Sequence, residues 1–228
     1  MPSTITVAQA EFTRYVQSTF KIKGSKKTIW IDPIMVNAEH IGNDKADIIL
    51  VTHEHGDHFS VDSLNALCKP GTELVCNNSG IVNRVRGNVS AKISVLKEGD
   101  ALDIGGVNVR AVAGYNNYHP RNKGADSFNV GYVFTLGGAQ LLHTGDTGLV
   151  DEFSKVGKLD IAMVPIGGNY TMDETEAARA VSQMLKPRIA IPMHYGYATA
   201  GDPNKFKQLV GKAAQVEIID ALLSRGAH

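Results

Sequence analysis

The chain holds 228 residues, 43% of them hydrophobic and 20% charged, with 23 Lys and Arg against 23 Asp and Glu. That length and apolar content suit one sizeable core, read as a single domain over residues 1–228, and exclude an intrinsically disordered chain. Formal neutrality excludes a global electrostatic footprint for nucleic acid or an anionic membrane, so recognition of any anion has to be local.

Short β-branched runs punctuate the sequence, and several stop at polar clusters. Residues 29–31 stop at Asp32-Pro33, and 48–51 stop at Thr52-His53. Residues 60–68 read as a short helix carrying Val61, Leu64 and Leu67. Strand candidates follow at Glu73–Cys76, 93–96, Val107–Ala113, Val130–Leu136 and 139–142, the last ending at His143-Thr144-Gly145-Asp146. After 161–164, Asp173 and Glu176 form a capping box for a helix carrying Ala177, Val181, Met184 and Leu185, which Pro187 ends. Residues 189–191 run into Pro192-Met193-His194, and Asp202-Pro203 caps a last helix with the stripe Phe206, Leu209, Val210 and Ala213. Hairpin-like strands mixed with helices predict an α+β architecture, two sheets packed face to face with helices outside.

The two cysteines, Cys68 and Cys76, are too few for a disulfide framework and fit no metal-ligand spacing; Cys68 is expected to pack as a small apolar residue. No signal-peptide pattern opens the sequence and no apolar run is long enough to span a membrane, so a cytoplasmic location is expected.

The chemistry concentrates in Thr52-His53-Glu54-His55-Gly56-Asp57-His58, which packs four potential metal ligands into six residues. Such a cluster at the end of a buried strand is costly unless a cation satisfies it. In an extended chain His53 and His55 project to one side, and Gly56 lets the chain turn so that Asp57 and His58 reach a neighbouring point. A helical HExxH site would need histidine where Asp57 stands, and no cysteine is near enough for a thiolate site.

The segment matches HxHxDH and resembles the metallo-β-lactamase superfamily, a resemblance extending from Ile31-Asp32-Pro33 to Pro192-Met193-His194-Tyr195. It implies an αββα sandwich in which His53, His55 and His119 hold one divalent ion, Asp57, His58 and His194 hold a second, and Asp146 bridges them. Zinc suits these nitrogen and oxygen donors, and manganese or iron is permitted. The implied reaction is hydrolysis of a small ester, lactone or phosphodiester by a metal-bound hydroxide that Asp57 orients. The alternatives are a non-catalytic metal-binding scaffold or sensor, or a small nuclease or phosphodiesterase. Gly145-Asp146-Thr147, Pro165-Ile166-Gly167-Gly168 and Tyr170-Thr171-Met172 look like the branch related to ascorbate-phosphate lactonase and N-acyl-phosphatidylethanolamine-hydrolysing phospholipase D. One departure stands out: many members carry Gly-His-Ser early in the chain, where this sequence reads Val16-Gln17-Ser18. Diiron flavoprotein relatives place glutamate at the position of His55 and add a flavin domain for which 228 residues leave no room.

Around this set, Arg121 and Lys123 are candidates for steering an anionic substrate, or are simply solvated, and Tyr195 is a candidate leaving-group acid or a packing residue. Asn169 and Tyr170 are candidate pocket walls. Asp32 either supports a metal histidine or forms an Asp-Pro turn. His143 is expected in a supporting or core hydrogen bond, and the sequence identifies no partner for His40 or His228. The expected partner is a small, possibly anionic molecule, with nucleic acid and membrane not expected and homo-oligomerisation open.

Overall fold

Strands enter each sheet in the order in which the chain makes them. The computed structural model describes residues 1–121 and 128–223; Lys123 and His228 lie outside these. The first sheet holds β1 (Thr4–Val7), β2 (Ala10–Arg14), β3 (Phe20–Gly24), β4 (Lys27–Ile31), β5 (Ile48–Leu50), β6 (Glu73–Cys76) and β7 (Lys92–Val95). The second holds β8 (Ala101–Ile104), β9 (Val107–Ala113), β10 (Val130–Leu136), β11 (Ala139–His143), β12 (Ile161–Pro165), β13 (Ile189–Met193) and β14 (Gln215–Val216). Each sheet runs antiparallel through its first four strands and parallel through its last four.

The parallel connections carry the helices: α1 (Ala38–Ile41), α2 (Val61–Leu67) and α3 (Ser79–Val85) on the first sheet. On the second, a 3-10 turn (Asp151–Lys155), α4 (Glu174–Arg179), which runs on into a π-helical stretch (Ala180–Leu185), and α5 (Pro203–Val210) do the same.

The period of two along each strand sorts side chains between layers. Ile29 and Ile31 join the core between the sheets while Trp30 faces the helices, and Ile48, Leu50 and Ile49 repeat the division. In the second sheet Leu141, Met163 and Ile191 face inward against Phe20 and Ile22, whereas Leu142, Ala162, Val164 and Ala190 pack under Ala177, Val181 and Phe206. The αββα layering expected from the sequence is what the chain adopts.

Several details differ from the sequence reading, which placed no strand at β1, β2, β3, β8 or β14. Strand β7 begins and ends one residue earlier than 93–96. The helix capped by Asp173 widens into its π-helical second half before Lys186, left-handed at φ 46°, stops it ahead of Pro187. Helix α5 ends sooner than predicted because Gly211 caps it, so Ala213 lies beyond the helix and exposed. Phe206 and Val210, four apart, take the buried face and turn Leu209 outward, 47% exposed.

Replacing Phe134, fully buried between the sheets, with alanine is expected to cost about 3–5 kcal/mol by the cavity it leaves. Leu209→Ala is expected to stay within about 0.5 kcal/mol, because that side chain buries little. Urea unfolding midpoints of the two variants check both.

Candidate metal centre

The parallel strands of both sheets end at one edge of the sandwich, where open α/β sheets gather ligand-binding residues. Beyond β5 the chain stays extended through His53 and His55, then closes a turn in which the N–H groups of His58 and Phe59 both donate to the His55 carbonyl at 2.9 Å. His119 comes from the loop after β9. There Asn116 Oδ1 accepts from the Tyr118 N–H at 2.8 Å, the His119 N–H at 2.9 Å and the His119 ring at 3.0 Å. Asp146 follows β11 through Gly145, whose φ is +62° and where a Cβ would come within 2.5 Å of Asn129 Oδ1; only glycine fits. His194, itself left-handed at φ +57°, follows β13.

These turns bring all seven residues together. One potential ligand atom from each of His53, His55 and His119 lies within 4.8 Å of the other two, and the same holds for Asp57, His58, Asp146 and His194. Asp146 faces both groups: Oδ1 is 3.1 Å from His58 Nε2, while Oδ2 is 2.9 Å from His194 Nε2 and 3.7 Å from His119 Nε2.

Outer oxygen atoms hold the imidazoles by Nδ1 and turn Nε2 inward, the usual support of a metal-ligating histidine. His58 Nδ1 meets Asp32 Oδ2 at 2.8 Å, His119 Nδ1 meets Asn116, and His194 Nδ1 meets Thr199 Oγ1 at 3.2 Å. His53 Nδ1 meets Thr52 Oγ1 at 3.0 Å, and that hydroxyl donates on to Asp32 Oδ2 at 2.7 Å. His55 is the exception, its Nδ1 lying 3.3 Å from His119 Nε2.

Three inward atoms, His53 Nε2, His58 Nε2 and Asp146 Oδ1, are buried without a hydrogen-bond partner. Each such atom costs about 1–3 kcal/mol if left unmet, and each faces the centre of its group. The residues therefore fit a pair of cations with nitrogen and oxygen donors, a set that suits zinc and permits manganese or iron.

The electrostatics agree. Burial opposes charge on His58, yet Asp146 and Asp32 outweigh it and hold the imidazole well above its usual pKa. His194 is raised in the same way against burial, by Asp146 and Asp57. Asp146 is the counterpart: despite burial, His194 and His58 hold it well below the carboxylate range. His53 is pushed far down by burial and by His58, and His119 falls to about 4, chiefly through burial.

A cavity of about 290 Å³ opens over His55, Asp57, His119, Asp146 and His194, and Tyr170, Ala198 and Thr199 form its remaining wall. Asn169, by contrast, does not line it. Arg121 is not free to steer a substrate: its guanidinium is held by Glu98 and Glu152 and stands over the Tyr115 ring. Tyr195 is also turned away, its hydroxyl 3.4 Å from the Ile219 carbonyl and its ring under Arg14. Asp32 supports His58 rather than merely forming a turn, and His143 bonds the Ser18 carbonyl at 3.0 Å in the core. His40 sits in the cap of α1, where Asn37 N–H donates to its Nδ1 at 3.4 Å. The sequence reading missed Gln17 as a contact of the site, along with Arg14, Asn116 and Thr199. Their partners lie far apart in the chain or resemble ordinary loop residues, and only the departure at Val16-Gln17-Ser18 signalled one of them.

The beta-lactamase superfamily domain matches residues 11–194. A protein of Thermococcus kodakarensis named a metal-dependent hydrolase is 36% identical over 217 residues, covering 89% of this chain and 92% of the relative. Among solved structures, one from Parabacteroides distasonis superposes with a TM-score of 0.78 at 27% identity, covering 97% of this chain and 99% of its own. A metallo hydrolase from the hyperthermophilic archaeon Ignicoccus hospitalis superposes with a TM-score of 0.77 at 24% identity, covering 92% and 95%. The match spans most of the chain and the same two-sheet architecture recurs in these neighbours: the chain belongs to the metallo-β-lactamase superfamily.

Proposed function

We propose that this chain is a metal-dependent hydrolase that works with two divalent ions and acts on a small, uncharged ester or lactone. His53, His55 and His119 would hold one ion, Asp57, His58 and His194 the other, with Asp146 shared. The observation that carries the reading is Asp146, a buried carboxylate with one oxygen toward His58 and the other toward His194 and His119.

Two such ions make water acidic enough to attack near neutrality and polarise a scissile carbonyl oxygen. The residues of the chain supply the rest. Asp57, half-buried at the cavity wall, is placed to accept a proton from the attacking water and fix its direction. Asp32, Thr52, Asn116 and Thr199 keep the imidazoles from rotating. Tyr170 and Ala198 present an apolar wall to the substrate.

Among the described residues no lysine or arginine lines the cavity, and Arg121 is already paired with two carboxylates. This supports a carboxylic ester or lactone, which needs no side-chain cation, over a phosphodiester, whose negative charge the ions alone would have to meet.

Asp57→Asn is expected to lower kcat on a neutral aryl ester or lactone by about 10²–10⁴-fold, the usual worth of a positioned acid–base group, with metal content measured on the same sample. Wild-type protein loaded with two ions that turns over no ester, lactone or phosphodiester would be a scaffold instead. A preference for phosphodiesters over neutral esters of equal leaving group would overturn the substrate assignment alone.

Metal uptake is expected to release protons. Asp146 raises the pKa of His58 and of His194, which favours their protonated forms, and an ion binding their nitrogens must displace the protons they carry. Apparent affinity therefore climbs as pH rises through neutrality and levels off above the raised pKa values. Calorimetry in buffers of different ionisation enthalpy counts the protons released.

A further inference from the structure

The turn between β2 and β3 brings Gln17 to the second group of ligands. Its side chain is fully buried. Its Nε2 donates to Asp57 Oδ2 at 3.0 Å and lies 2.9 Å from His194 Nε2, so the carboxamide sits between one ligand from each sheet. The His58 contacts are of another kind, with Asp32 and Asp146. No described residue of the first group, His53, His55 or His119, bonds to Gln17.

The backbone is built to deliver that amide. Gln17 is left-handed at φ +49°, a conformation that side chains other than glycine rarely adopt and that costs about 1–3 kcal/mol unless its surroundings enforce it. The enforcement is visible. The His194 N–H donates to the Gln17 carbonyl at 3.1 Å. Buried Arg14 donates from Nε to the same carbonyl at 3.2 Å, from Nη2 to the Tyr195 carbonyl at 2.6 Å and from Nη1 to the Ile219 carbonyl at 3.3 Å. One guanidinium thus locks the Gln17 turn onto the loop that presents His194.

We infer that Gln17 is a positioning residue for the second ion, its carboxamide fixing the Asp57 carboxylate against the His194 ring so that the two sheets present one ligand set. This rests on the two-ion reading above. An ion held at His194 Nε2 would take the lone pair there, while the Gln17 N–H bonded to Asp57 Oδ2, the oxygen that also lies 3.6 Å from His194 Nε2 and 3.8 Å from His58 Nε2, would still fix the direction of that carboxylate, the role that supporting groups play around metal ligands.

The test uses full-length, metal-free protein titrated with Zn²⁺ against a chromophoric chelator, and with Co²⁺ followed by its visible absorption. In Gln17→Ala the first ion is expected to bind as in wild type, while the dissociation constant of the second rises about 10–100-fold and the cobalt spectrum changes only in the second equivalent. Gln17→His, which restores an N–H donor of similar reach, is expected to recover most of the loss. Gln17→Gly relieves the left-handed backbone; it should unfold no earlier than Gln17→Ala yet bind the second ion as weakly, which separates the amide from the fold. Two ions bound by Gln17→Ala with wild-type constants, both ions weakened alike, or no recovery in Gln17→His would each overturn the inference and leave the two-ion reading standing. Wild-type protein that takes up fewer than two ions would overturn both.

Discussion

A carboxylate buried among imidazoles is stable only if positive charge meets it, and Asp146 imposes that condition on the meeting line of the two sheets. Its oxygens are shared out between residues from the β5–α2 connection, the loop after β9 and the end of β13. Without an ion, His58 and His194 answer it: Asp146 raises both imidazoles and they depress Asp146. His53 Nε2, His58 Nε2 and Asp146 Oδ1 are still without a hydrogen bond, His58 and Asp146 meeting only as an ion pair at 3.1 Å. Every support around the centre can be understood from this one demand: Asp32, Thr52, Asn116 and Thr199 each fix a ring so that its free nitrogen points inward.

The architecture makes that convergence possible with little chain. Each half lays down antiparallel strands first and parallel strands after, and the parallel strands of both halves finish at the same edge. Loops leaving that edge are tied at their roots by hydrogen bonds between the sheets, among them Tyr132 Oη to the Val51 carbonyl at 3.0 Å. A site assembled from strand ends inherits the rigidity of the strands.

How much of this could be read from the residues depended on distance along the chain. His53 to His58 declared itself because its members are neighbours, and the capping box at Asp173, the N-cap at Asp202 and the β-branched runs placed most elements because their signals are local. His119, Asp146 and His194 stood out only through family resemblance, since each sits alone in its loop. The first three strands were overlooked although Phe20-Lys21-Ile22-Lys23 alternates cleanly; its lysines hid a strand whose Phe20 and Ile22 are fully buried. Arg121 misled for a related reason: a cation beside a predicted ligand suggested steering, while Glu98 and Glu152, which neutralise it, lie 23 and 31 residues away. Gln17 was the hardest, because its partners Asp57 and His194 are 40 and 177 residues distant.

The Arg14 contacts also bear on the order in which the molecule can be finished. Residues 219–223 return to the first sheet, where the N–H groups of Leu222 and Leu223 donate to the carbonyls of Arg14 at 2.9 Å and Tyr15 at 2.7 Å, and the Ile219 carbonyl accepts from Arg14. The first seven strands pair with one another without these residues. The chain cannot complete the seat of the Gln17 turn until residues 219–223 have been synthesised and folded back, some two hundred residues after Gln17 itself.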